Sequence, residues 1–543
     1  MRELTLEKAL SAACVVWVLA CAPAEPPTVP ASYDDLVTFF REWREFERPA
    51  FTDGVPDYTA PAMERQYAQL AEYDARHAAM DTSGWSVAER VEYELVRAEL
   101  FGLDFDHRVR RPWALNPAFY TMIFTAQSDV PAHEGPIIHG WIDLWQYDYP
   151  LSAADAAELA SRIDAIPALL QQARGNLVGN GHDLWRGGIR TMAAQSRDLG
   201  AFAQQVRGTS PELDAAIERA TDATDAFRGW LEDELPGRTG PSGIGKDSYT
   251  WYMQQVHLVP YGWEEQVSLL RRELVRAHTA LRLEENRNRG LPELERVATP
   301  DEYDRGHRAA VTTFLEFLDR EEIVTMADYM EPALLAKIGA FSPTDGLRGF
   351  FSEVDYRDPL GMRVHGYHWI ELARLVEDPH PSPIRSALPL YNIYDARSEG
   401  LATGLEEWAM HAGLWDDHPR GRELVHILQA QRAARGIGGL MQHANEWTLD
   451  EAAEFSSKWV PRGWLPADGG TIIGEQHLYL QQPGYGTSYL TGKIQLEQLL
   501  AERAIQLGDQ FTIQRFFDEF LDAGIIPIEL VRWELTGKRG WRE

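Results

Sequence analysis

Two histidines and a glutamate stand at steps of three in His365-Gly366-Tyr367-His368-Trp369-Ile370-Glu371, and two further carboxylates, Glu399 and Glu406, follow downstream. On a helix each step of three turns by about 300°, so His365, His368 and Glu371 would spread over roughly 120° of one face. Two of the three reach a single ion easily; all three do so only with distortion. One carboxylate from the next helix would complete a site that the histidines begin. Zinc accepts imidazole nitrogen and carboxylate oxygen in such three-ligand sites and keeps a fourth position for water. A neighbouring carboxylate then takes the proton of that water, which makes the expected chemistry metal-assisted hydrolysis.

The same residues have plainer readings. Glu399, Thr403 and Glu406 form a polar stripe opposite Leu401, Leu405, Trp408, Ala409 and Ala412, the pattern of a helix with one solvated face. Histidines flanked by Tyr367 and Trp369 also occur as hydrogen-bonded packing residues. His133-Glu134 opens like the His-Glu-x-x-His motif of metallopeptidases, but Gly135-Pro136 follow and the next histidine is His139. One helical face cannot present them, so this segment reads as a loop that contacts a groove at most. A Gly-x-Ser-x-Gly elbow and a P-loop are both absent. Gly436-Ile437-Gly438-Gly439 lies inside a helical run and is a weak nucleotide-binding signal.

The elements that must position these groups read as helix after helix. Ser32-Tyr33-Asp34-Asp35, Ser86-Val87-Ala88-Glu89, Ser152-Ala153-Ala154-Asp155 and Thr448-Leu449-Asp450-Glu451 are helix-start signals, each followed by apolar residues at helical spacing. Gly- and Pro-rich breaks fall at 110–117, 235–245, 341–359, 378–389 and 460–474. Strand patterns are limited to 349–356 and 470–474. The expected fold is all-α, a large multi-helix body around a central groove with at most a small strand pair. A compositional break near 241–246 divides an N-terminal helical half, 32–240, from a C-terminal half, 241–543, that carries the site.

With 543 residues the chain easily buries a core. Its 52 Lys and Arg against 83 Asp and Glu give a net charge of −31, which repels a polyanion and argues against a nucleic-acid partner. Residues 1–20 have the shape of a signal peptide, and Val18-Leu19-Ala20-Cys21 resembles the lipobox of bacterial lipoproteins. Cys21 would then carry the lipid, 21–31 would be a Pro-rich tether, and that lipid would be the only membrane contact. Cys14 and Cys21 are the only cysteines, so no disulfide and no catalytic thiol is expected in the mature chain. The expected location is the periplasm or the periplasmic face of a bacterial membrane.

The C-terminal half resembles a bacterial family known as domain of unknown function 885, whose members are mostly helical, often exported and similar to zinc-dependent peptidases. Glu399-Gly400 and Glu406 match its second block; Arg432, Arg435, His443, Trp447 and Thr448 its third; Pro483-Gly484, Ser488, Tyr489 and Gly492 its fourth; Phe516-Phe517-Asp518 its last. Several positions depart from the pattern. Only His365-Gly366-Tyr367-His368 stands where the family's first block has a leading His-Glu. Gly439 replaces an Asp, Leu478 an Arg, Tyr485 a Gln and Phe517 a His.

The resemblance implies a metal-dependent, peptidase-like hydrolase with zinc held by His365, His368 and Glu399. Glu371 or Glu406 would act as base, and His443 and Tyr489 would steady the oxyanion of a peptide or small-molecule substrate. Losing the His-Glu removes a proton-transfer group worth roughly 10²–10⁴-fold in rate. The alternative expectation is therefore a silent ligand-binding lipoprotein. A third, a different metal chemistry, uses the same donor types.

Overall fold

The computed structural model describes residues 29–136 and 138–540; the signal peptide, the lipobox and Cys21 lie outside them. Helices begin where the capping signals stand. Ser32, Ser86 and Thr448 each accept the N–H of the residue three on, and Asp35, Glu89 and Glu451 reach back to the cap N–H. Each box thereby satisfies donors that a helix start leaves open.

The architecture is all-α. Among the described residues the strands are three two-residue pairs: Val29–Pro30 with Met80–Asp81, Phe51–Thr52 with Val55–Pro56, and Ile123–Phe124 with Ile142–Asp143. Both segments expected as strands are helical, Phe350–Asp355 and Gly470–Gln481. Phe350 and Val354, four apart, are buried together, a helical spacing that so short a segment does not distinguish from alternation.

Two apolar cores lie side by side. One joins the helices Tyr33–Phe46 and Val87–Phe105 to the C-terminal half; the other gathers residues from Tyr58 to Leu231 and includes the helices Ala153–Ile163, His182–Gln205 and Pro211–Glu234.

At the centre of the first core three helices, Asp395–His411, Gly421–His443 and Tyr485–Leu507, are buried over most of their circumference. Glycines let their backbones meet. A Cβ on Gly492 would lie 1.8 Å from the Ala396 carbonyl oxygen, and one on Gly400 2.5 Å from the Gly492 carbonyl carbon. Gly436 meets the Gly486 carbonyl in the same way, so the glycine run on Gly421–His443 serves helix packing. The stripe of Glu399, Thr403 and Glu406 is buried, not solvated.

Candidate metal and hydrolytic site

Residues 362–376 do not form one helix. Leu360–His365 stops at Gly366, and Tyr367–Glu377 starts again at once. His365 and His368 thus flank a kink, and their rings stand perpendicular with centroids 5.1 Å apart. Glu399, on the helix Asp395–His411, comes between them: its Oε2 is 3.3 Å from His368 Nε2 and 3.9 Å from His365 Nε2.

Glu406, two turns further along, accepts Arg432 through both oxygens, at 2.6 and 2.7 Å, and lies 3.0 Å from His365 Nδ1. Arg432 Nη2 also lies 3.1 Å from Nδ1, so Glu406 and Arg432 together orient the ring and leave Nε2 turned toward Glu399. Carboxylates orient metal-binding histidines in this way.

A loop from the N-terminal half completes the cluster. One donor atom from each of Asp129, His365 and His368 falls within 4.8 Å of the others. Asp129, Glu134, His365, Tyr485, Tyr489 and Arg435 line a cavity of about 560 Å³ that opens beside the cluster. The Tyr485 hydroxyl lies 2.6 Å from both Glu134 Oε1 and Glu399 Oε1. One phenol has one proton, so serving both carboxylates requires a second proton on one of them.

Electrostatics assigns it. Burial, reinforced by Asp129, pushes Glu134 up to about 7. Burial acts the same way on Glu399, but the neighbouring His368 and His365 override it and hold Glu399 down at about 2. In His368 burial is again overridden, by Glu399, and the imidazole rises to about 9. His365 is pushed down, by burial and by Arg432. Glu134 is thus the group that exchanges a proton near neutrality.

The donor set fits a cation. His368 Nε2 and Glu399 Oε2 are both buried and neither makes a hydrogen bond, although they face each other. Two ligands about 2.0–2.1 Å from a tetrahedral zinc are roughly 3.3–3.4 Å apart, and these atoms are 3.3 Å apart. The two are an ion pair without an aligned hydrogen bond, and an ion between them would replace the imidazolium proton as the partner of Glu399.

The remaining expected residues are placed elsewhere. Glu371 is bound by Arg397 and Glu406 by Arg432, and neither lines the cavity. His443 pairs through Nε2 with the Tyr479 carbonyl at 2.7 Å, is pushed down to about 4 by burial, and is also away from the cavity. Tyr489 does line it, stacked 6.4 Å from His365 with the Arg435 guanidinium 4.3 Å from its ring. Phe517 packs on Trp408 and Phe516, outside the cavity. Sequence reading missed Asp129, which sits in a loop without periodicity, and gave Glu134 no more than a groove contact. The one available signal was an acidic pair, Asp129 and Glu134, in a segment broken by Pro131, Gly135 and Pro136.

Comparison with known proteins agrees with this architecture. The model of a family described as bacterial protein of unknown function (DUF885) matches residues 46–339 and 368–535. The match reaches well into the N-terminal half and skips 340–367, the stretch ending just before His368. A lipoprotein of unknown function, so described, from Shewanella oneidensis has a similar structure: TM-score 0.66, 15% identity, 94% of this chain and 100% of that one covered. A second protein described as a lipoprotein, from Colwellia psychrerythraea, gives 0.63 at 14% identity over 93% and 97%. A search of curated proteins finds no match.

Proposed function

We propose that this chain, which belongs to the DUF885 family of bacterial proteins of unknown function, is a metal-dependent hydrolase of peptide or amide bonds, exported as a lipoprotein. The observation that carries the reading is the convergence of Asp129, His365 and His368, with Glu399 Oε2 3.3 Å from His368 Nε2 and 3.9 Å from His365 Nε2. These four residues would hold a divalent cation, with zinc the first candidate, and the cation would supply Lewis acidity at the cavity wall.

The chain's own groups do the rest. Glu134 takes the proton of a water in the cavity and passes it toward the leaving group. Its pKa near 7 suits both directions of transfer. Tyr485 ties Glu134 to Glu399 and fixes the distance between proton acceptor and cluster. Tyr489 makes no hydrogen bond through its hydroxyl among the described residues and is free to donate to a developing oxyanion. Glu406 and Arg432 hold His365 in orientation. Export is supported by the lipobox-like Val18 to Cys21 and by the two neighbours described as lipoproteins. Among the described residues no helix is long and apolar enough to cross a membrane.

Metal analysis of protein purified without chelator tests the reading. About one equivalent of metal is expected, lost in Glu399→Ala. Metal-free protein whose melting temperature does not move on added zinc overturns it. That result would favour a silent ligand-binding protein, a second reading supported by the complementary charges of His368 and Glu399, which would then satisfy each other as an ion pair.

A further inference from the structure

A second and larger cavity, about 810 Å³, lies against the first. Its floor comes from the helix Tyr33–Phe46, from a π-helical turn at Asp106–Arg110 and from the loop that carries Tyr391 and Asn392. Tyr391 and Asn392 are consecutive non-glycine residues with φ of 57° and 55°. Such backbone persists only where the surroundings over-determine it, and it gathers at binding sites.

The two cavities share a wall. Asp129 and Glu134 line the smaller one; Val130, Ala132 and His133 line the larger; Gly135 and Pro136 line both. The strip that presents a candidate ligand and the proton acceptor to one side is therefore the boundary of a second binding volume on the other.

Several of the aromatic rings that line the larger cavity have their polar edges engaged, while the Tyr391 hydroxyl is buried without a partner. Asp143 accepts the indole N–H of Trp141 at 3.0 Å and of Trp145 at 3.1 Å, the Gln146 amide at 3.0 Å, and lies 2.8 Å from His133 Nε2. His139 is held between the Tyr58 hydroxyl at 2.9 Å and Glu47 at 3.3 Å. Gln66 is taken by His107 and the Glu47 carbonyl. Ring faces remain free: Trp145 lines the cavity, is fixed in place by Asp143, and has no other ring stacked on it among the described residues.

We infer that this cavity is a specificity subsite for an aromatic side chain of a peptide substrate, seated against Trp145 while the chain crosses the Gly135–Pro136 lip into the smaller cavity. The inference rests on the hydrolase reading for where the scissile bond lies, but not for the binding itself.

Calorimetry on metal-free protein tests it with N-acetyl-Ala-Phe-Ala-amide and N-acetyl-Ala-Ala-Ala-amide. The Phe peptide is expected to bind roughly three- to tenfold more tightly, the size of an aromatic pair contribution. Trp145→Ala should erase that preference without changing the affinity of the Ala peptide, and Trp145→Phe should keep part of it. Equal affinity for the two peptides overturns the proposal. So does a preference that survives Trp145→Ala, or binding of N,N′-diacetylchitobiose with no binding of either peptide. Because no metal is present, failure of the hydrolase reading on metal content leaves this outcome standing on its own.

Discussion

The bundle 153–234 and the three central helices Asp395–His411, Gly421–His443 and Tyr485–Leu507 are both thoroughly buried, yet by different chemistry. In the first, the buried side chains are apolar apart from Asp183, Gln195 and Thr224. In the second, charges are sealed in and matched: Arg432 with Glu406, Arg435 with Glu475, Arg397 with Glu371, Lys493 with Glu407. Apolar burial tolerates exchange among residues of similar volume. A buried ion pair yields little net stability but fixes geometry, because a charge that loses its partner is left unsolvated. The difference assigns fold stability to the first region and the holding of Glu399, His365 and His368 in register to the second.

The sharpest way to break this contrast is Arg432→Met, which strands Glu406 in the interior. It should cost about 3–5 kcal/mol in urea unfolding, and Arg432→Met with Glu406→Leu should recover most of the loss. If the single change costs no more than an apolar truncation, the central charges have no special status.

Next comes Glu134→Gln, expected to lower kcat by roughly 10²–10⁴-fold with the melting temperature unchanged. It should also remove an acid limb of the pH–rate profile whose midpoint lies near 7. An intact acid limb in this variant would assign the proton transfer elsewhere.

A third test lies on the helix Val87–Phe105, outside both regions. Glu99 accepts the Trp43 indole at 3.3 Å and the Leu390 N–H at 2.9 Å, and burial raises it from 4.5 to about 7. A raised carboxyl contributes stability below its unfolded pKa and loses it as the pH rises through the folded one. Unfolding free energy should therefore fall by up to about 3 kcal/mol as the pH rises from 4.5 through 7, and Glu99→Gln should flatten that slope. The smallest effect is Ile163→Val in the apolar bundle, about 0.5–1.5 kcal/mol with no pH dependence and no change in turnover.

The same contrast explains what could be read from the chain. Helix starts at Ser32, Ser86 and Thr448 were legible because capping is local, with three residues carrying the whole signal. His365, His368 and Glu399 were legible as a group because they lie within about 35 residues of one another in the chain. The kink at Gly366 was not, since an isolated glycine is also tolerated inside a helix. Glu406 looked like a residue on a wet face because amphipathic spacing records only which residues are polar, not what lies opposite; Arg432 on another helix makes it a buried one. Asp129 and Glu134 reach the site from more than 200 positions earlier in the chain, through a loop with no period to read.

The contact of Gly400 with Gly492 has a consequence for anyone comparing relatives. Gly400 directly follows Glu399, and wherever this helix crossing is kept both positions must stay small, since even one methyl would overlap the facing backbone. Across a lineage such a pair will be as invariant as the residues that perform chemistry, and will sit beside them in any ranking. Its constancy measures the thickness of two touching helices, and substitution there should be scored by volume rather than by reactivity.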